Sequence, residues 1–258
     1  MRLARFALIG LLALVLSCSG DESNPNQRTY DDVRNDFNSL NYAVGVNDFS
    51  LLNTHNFLWY FRVNIPNVDL TNNDRPLIID LHSFSGNNTD AHKNTGCYIA
   101  NGFSSLDAII ISPNAGPYIW EDIRNQEQIL SLVDLAVTFW PVDPSKIVVT
   151  GYSAGGNGSW FSGEVQPNVY SAAIPIASSY NTTSNGVGRL MEIPFYVIHG
   201  EDDTYFPLQL TQDWVTATQS AGSDVTFVVA PGLDHFEPCN YAPYIEDAAD
   251  WLVNYVWN

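Results

Sequence analysis

The chain predicts an α/β domain built on a mainly parallel sheet with helices on both faces, and three features point that way. Short apolar runs recur at residues 58–63, 77–82, 108–112, 147–150, 172–176, 195–199 and 225–230. Most are continuous rather than alternating, as strands covered on both faces require. Between them lie stretches whose apolar residues repeat with helical spacing and paint one face each. The third feature is Gly151-Tyr152-Ser153-Ala154-Gly155, which ends one apolar run and opens a helical stretch, as at a tight strand-to-helix turn.

Taken from the N-terminus, Arg2 and Arg5 precede an apolar core at residues 6–16. That core is too short to span a bilayer, so residues 1–17 read as a signal peptide. Val15-Leu16-Ser17-Cys18 looks like a bacterial lipobox, which makes Cys18 the expected lipidated N-terminus. The polar run at 19–28 lacks apolar periodicity and suits a tether. The expected organisation is therefore a leader at 1–17, a tether and extension at 18–45, and one domain at 46–258. The mature protein is expected to be exported, as a cell-envelope lipoprotein or secreted, meeting membrane only through that lipid.

Within the domain, the 77–82 strand runs into the loop His82-Ser83-Phe84-Ser85-Gly86. The 108–112 strand leads to Gly116-Pro117-Tyr118-Ile119-Trp120, where Trp120 is expected to face substrate, an ordinary capping aromatic being the alternative. A helix follows through Ile123, Leu130, Val133, Val137 and Trp140. The 147–150 strand delivers the serine turn and a helix at 157–164. After the 172–176 strand, residues 178–191 form a Ser/Thr/Asn/Gly segment too short for a lid domain. The 195–199 strand opens on Gly200-Glu201-Asp202-Asp203, and the 225–230 strand on Gly232-Leu233-Asp234-His235. A last amphipathic stretch carries Tyr244, Ile245, Ala248, Trp251, Leu252, Tyr255 and Val256.

A serine hydroxyl is a poor nucleophile at neutral pH; it needs an imidazole to take its proton and a carboxylate to orient that imidazole. Ser153, His235 and Asp203 supply these groups from three strand ends, with Asp202 as the nearest rival acid. The backbone amides of Ala154 and Phe84 are expected to form an oxyanion hole. Phe84 and Tyr152 flank those donors and are expected to wall the substrate.

These residues resemble one family. Pro76 to His82, Val142 to Gly156, His199-Gly200-Glu201-Asp202-Asp203 and the His235 loop are similar to the secreted polyhydroxyalkanoate-depolymerase and feruloyl-esterase-like branch of the α/β-hydrolases, related to prolyl oligopeptidases, over about residues 57–257. The resemblance implies the α/β-hydrolase fold, a carboxylic ester hydrolase with no cofactor, polymeric and aromatic esters among its substrates, and a structural role for His82. It also implies Asp203 as the acid, three residues after Gly200, with Pro207 following. One position departs: the family usually reads Leu-His-Gly, and this chain has Leu81-His82-Ser83. Two alternatives stand beside the ester hydrolase. A prolyl-oligopeptidase-like peptidase shares the turn and the residue order, although such chains commonly carry a large gating domain. A non-catalytic surface binding protein could keep the same fold.

With 258 residues, 45% hydrophobic and 13% aromatic, the chain can bury one sizeable core and is expected to be a monomer. Its net charge is −18; loss of two arginines with residues 1–17 makes it −20. A surface so acidic repels phosphate backbones, which argues against nucleic acid as a partner. If Cys18 is lipidated, Cys97 and Cys239 remain as an even pair that an oxidising compartment would allow to bond, or as two buried thiols. Asp80, His82, Asp90 and His92 lack a known ligand spacing, so no metal site is expected and these read as solvated loop residues, with His55 and His92 at the surface.

Overall fold

The computed structural model describes residues 28–72 and 75–258. The signal peptide at 1–17, the lipidation candidate Cys18 and most of the tether lie outside the described residues.

The first element is helix α1 (Tyr30–Asn38), started by a capping box in which Thr29 and Asp32 exchange side-chain and backbone hydrogen bonds. Val33 and Phe37 are fully buried, and the Phe37 ring lies 4.7 Å from that of Trp140. The packed domain thus begins well before residue 46. Strands β1 (Gly45–Leu52) and β2 (Leu58–Ile65) form an antiparallel hairpin. There follow β3 (Arg75–Leu81), the short α2 (Ile99–Gly102), β4 (Ile109–Pro113), α3 (Ile123–Phe139), β5 (Val142–Tyr152) and α4 (Ala154–Val165). After β6 (Ala172–Ile176) come the two-residue strands β7 (Thr183–Ser184) and β8 (Val187–Gly188). The chain closes with β9 (Phe195–Gly200), α5 (Leu208–Ser220), β10 (Val225–Ala230) and α6 (Ala242–Trp251).

Eight strands form one sheet in the order β1-β2-β4-β3-β5-β6-β9-β10. β4, β3, β5, β6, β9 and β10 run parallel, whereas β2 lies antiparallel to β4. The continuous apolar runs have a simple cause, since successive residues of one strand feed two cores. Leu77, Ile79 and Leu81 join the core under α1, α3, α4 and α5, while Ile78 joins the one under α2 and α6. Ile109 and Ile111 divide from Ile110 in the same way, as do Ile147 and Val149 from Val148. With helices on both faces, this is the α/β-hydrolase arrangement that the sequence predicts.

Residues 178–191 hold only the β7–β8 hairpin, turned at Asn185 (φ 51°) and Gly186 (φ 78°) as a two-residue hairpin turn demands. It is tied down by Arg189, which pairs with Glu164, and by the Tyr180 hydroxyl, which donates to the same carboxylate at 2.6 Å. Cys97 and Cys239 are joined in a disulfide with Cα atoms 5.2 Å apart, stapling the segment before α2 to the one before α6.

Candidate active site

Ser153 sits between β5 and α4 at φ 58°, ψ −116°, a conformation that L-residues avoid. The turn is possible because its neighbours are glycines. A Cβ on Gly155 would stand 1.8 Å from the Leu81 carbonyl oxygen, and one on Gly151 would stand 2.4 Å from the backbone of Gly155. The Ser153 amide donates to the Ile176 carbonyl at 2.9 Å, and its own carbonyl accepts from Asn157 at 3.0 Å. Its side chain is thus fixed above the carboxyl ends of the central strands, where open α/β sheets place their ligands.

The three candidate catalytic side chains come together in one line. Ser153 Oγ is 2.9 Å from His235 Nε2, and His235 Nδ1 is 2.8 Å from Asp203 Oδ2. All three are buried. Asp203 Oδ1 accepts from the amides of Tyr205 (3.0 Å) and Phe206 (2.7 Å), so both carboxylate oxygens are engaged. Burial pushes its carboxyl up, but the His235 and Phe206 hydrogen bonds and the nearby imidazoles outweigh it and hold it below the usual carboxylate range. Asp202 is exposed and only its amide is anchored, to the Leu233 carbonyl at 3.0 Å. Glu201 turns to the Gly232 amide. Of three adjacent acids, Asp203 alone meets the imidazole.

The His235 loop is held from below. The Tyr152 hydroxyl donates to the His235 carbonyl, and that of Tyr241 to the Asp234 carbonyl at 3.2 Å. Tyr152 therefore carries the histidine as well as lining, with Phe84, a cleft of about 300 Å³. Tyr205 and Phe206 place their rings 4.8 and 4.7 Å from His235. These supports were missed in the sequence, where only the excess of aromatics after strand ends hinted at them.

Ala154 and Phe84 line one narrow cleft of about 20 Å³ with His82 and Ser83. Among the described residues neither amide has a hydrogen-bond partner. The Phe84 side chain is 73% exposed beside them. The preceding residue is strongly braced. The Ala115 amide donates to His82 Nε2 (3.1 Å), which leaves Nδ1–H to donate to the Ser83 carbonyl (2.6 Å). Burial lowers the pKa of His82 against the pull of that carbonyl, which suits a neutral ring.

Trp120 is 2% exposed, its Nε1–H donates to the His82 carbonyl at 2.8 Å, and it packs against Gly158. It also lines the narrow cleft with Ala154 and Phe84. One expectation needs correction: His92 is not at the surface, because Asn114 Nδ2 meets its Nδ1 at 3.0 Å and burial lowers its pKa to about 4. Asp80 is likewise buried, with Ser112 donating to it at 2.7 Å. Among the described residues no cluster of His, Cys, Asp or Glu is arranged to hold a metal.

Known structures share this architecture. FphF, a fluorophosphonate-binding serine hydrolase of Staphylococcus aureus in a substrate-bound state, is 15% identical with a TM-score of 0.67, over 82% of this chain and 100% of its own. Esterase 2 of Thermogutta terrifontis, phosphoramylated by tabun, is 17% identical with a TM-score of 0.66, over 81% and 94%. A thermostable esterase is 19% identical with a TM-score of 0.65 over 81% of this chain, which spans 62% of that esterase's length. At such identities the likeness shows the fold. No curated protein sequence matches the chain. Residues 111–245, which run from β4 through the serine turn and His235, match the phospholipase/carboxylesterase family. The chain belongs to that family of α/β-hydrolases and is an esterase-type serine hydrolase.

Proposed function

We propose that the protein is an exported carboxylic ester hydrolase working through an acyl-enzyme at Ser153. His235 Nε2 takes the Ser153 hydroxyl proton as Oγ bonds to the ester carbonyl carbon, and the carbonyl electrons move to oxygen. The Ala154 and Phe84 amides stabilise that oxyanion, while Asp203 orients the imidazole and stabilises its charge. Return of the proton to the alkoxy oxygen releases the alcohol. Water, deprotonated by His235, then attacks the acyl carbon and frees the acid and Ser153. The reaction needs no cofactor.

The observation that supports this reading best is the unbroken pair of hydrogen bonds from Ser153 to His235 to Asp203. The site has no lid domain over it among the described residues, and Phe84, Ile119, Tyr205 and Phe236 expose apolar surface around it. That favours bulky, aromatic or polymeric esters. Export through a leader at 1–17, with a lipid on Cys18, belongs to the same proposal. Cys18→Ala should release the protein from the membrane fraction of a lipoprotein-processing bacterium, and a wild type already soluble there would end the anchor.

The direct test of the chemistry is Ser153→Ala against p-nitrophenyl butyrate. The variant should fold normally, lose turnover by roughly 10³-fold or more, and fail to react with a fluorophosphonate that labels the wild type. A variant retaining near wild-type turnover would remove Ser153 from the mechanism. A dipeptide anilide should be turned over far more slowly than its matched ester, and the reverse order would make the enzyme a peptidase.

A further inference from the structure

A larger cavity adjoins the narrow cleft of Ala154 and Phe84, the residue after Ser153 and its facing loop. It encloses about 410 Å³, within the roughly 300–1,000 Å³ of small-molecule sites. Ala115, Gly116 and Tyr118, which follow β4, line both this cavity and the narrow cleft that holds Ala154 and Phe84. The two spaces therefore share one wall. The rest of the larger cavity sets Phe57, Leu58, Trp59, Tyr60 and Pro117 among polar side chains.

Its chemistry is selective. Phe57 is 63% exposed, so a large apolar ring stands in water at the rim. The Arg124 guanidinium covers the Tyr118 ring at 3.4 Å and is itself neutralised by two hydrogen bonds to Asp122, at 2.8 and 2.7 Å. The Tyr118 ring is thus held rigid without offering a free charge. Three side-chain amides in the lining are committed to the protein's own backbone: Asn114 to the Asn88 carbonyl (3.0 Å), Asn125 to that of Ile119 (2.8 Å) and Gln128 to that of Tyr60 (3.3 Å). Glu127, Asn87 and Thr89 also line the cavity. The Glu127 carboxylate disfavours an anionic ligand, and the ring faces and aliphatic wall suit an uncharged aromatic ring.

We propose that this cavity is a second subsite, taking an uncharged aromatic ring several bonds from the ester under attack. It rests on the reading of Ser153 as the nucleophile, and it makes extended aromatic esters the preferred substrates.

The test compares matched esters that differ only by a distal ring. Ethyl, butyl and hexyl benzoate are set against the dibenzoates of ethanediol, butanediol and hexanediol. At one linker length at least, wild-type kcat/KM per ester bond should favour the dibenzoate by about tenfold, and Phe57→Ala should bring that ratio close to one through KM. Binding is read separately by titrating the Ser153→Ala protein with the same dibenzoate, whose Kd should rise about tenfold when Phe57→Ala is added. No preference at any length, or a ratio and Kd indifferent to Phe57→Ala, would overturn the subsite. Turnover that survives Ser153→Ala would instead overturn the nucleophile, and the Kd comparison would still judge the cavity.

Discussion

Removing the Cys97–Cys239 disulfide should cost stability far more than activity. The bond joins residues 142 apart in sequence. In the chain-entropy treatment, a closure of that length removes roughly 17 cal/mol/K from the unfolded chain, about 5 kcal/mol at 25 °C. A domain of this size loses about 2–4 °C in Tm per kcal/mol, so the Cys97→Ser/Cys239→Ser double variant should melt at least ~10 °C below the wild type. The double variant is used so that no lone thiol remains. Cys239 lies four residues after His235, yet that loop is also held by the Tyr152 and Tyr241 hydroxyls and by Asp203. At 25 °C, kcat/KM on p-nitrophenyl butyrate should therefore fall by no more than about threefold, a loss near 0.6 kcal/mol. Differential scanning calorimetry and initial rates on one sample measure both quantities. A Tm within ~3 °C of wild type would refute the entropic argument. A drop in turnover beyond ~30-fold would show that the disulfide, not the hydroxyls, holds the histidine.

Asp203→Asn should keep the fold and lower kcat by up to about 10⁴-fold, through the wrong imidazole tautomer, while Asp202→Asn should lower it by less than about threefold; an Asp202 variant as crippled as the Asp203 one would reassign the acid. Burial raises the Asp80 carboxyl to about 6 against the hydrogen bonds from Thr95 and Ser112. A carboxyl raised on folding favours the native state below about pH 4, and that advantage is lost as pH rises through 6. Asp80→Asn should thus be more stable than wild type at pH 8 by up to ~3 kcal/mol and nearly equal to it at pH 4. Urea titrations at the two pH values decide this, a variant weaker at both being the contrary result. Gly155→Ala, which drives a methyl into the Leu81 carbonyl, should cost about 3 kcal/mol or more or prevent folding; soluble, active protein with an unshifted Tm would show that the turn can open.

The sheet was legible because buried parallel strands leave uninterrupted apolar runs, and the serine turn because its glycines are demanded by backbone contact. β1 was not, since Gly45–Leu52 alternates between intermediate and exposed positions for most of its length and leaves no continuous apolar run. α1 was hidden for a similar reason: only Val33 and Phe37 in a run of acids and asparagines are buried. In the site, Asp203 could be picked out of three acids by the position that the family resemblance implies. Tyr152 and Trp120 could not be assigned from sequence, because an aromatic beside a catalytic loop looks the same whether it meets substrate or props the loop. The bonds that show both propping a loop, a hydroxyl on the His235 carbonyl and an indole on that of His82, join residues 83 and 38 positions apart.

The backbone of Ser153, at φ 58° and ψ −116°, sets a hidden conflict between durability and turnover. A side chain held there strains the native state by of order 1–3 kcal/mol, and a glycine would relax it. Ser153→Gly should therefore be the more heat-resistant protein and a dead one. Selecting variants of this enzyme for heat resistance alone would reward loss of the proposed nucleophile, so any campaign to harden it must score product formation at every round.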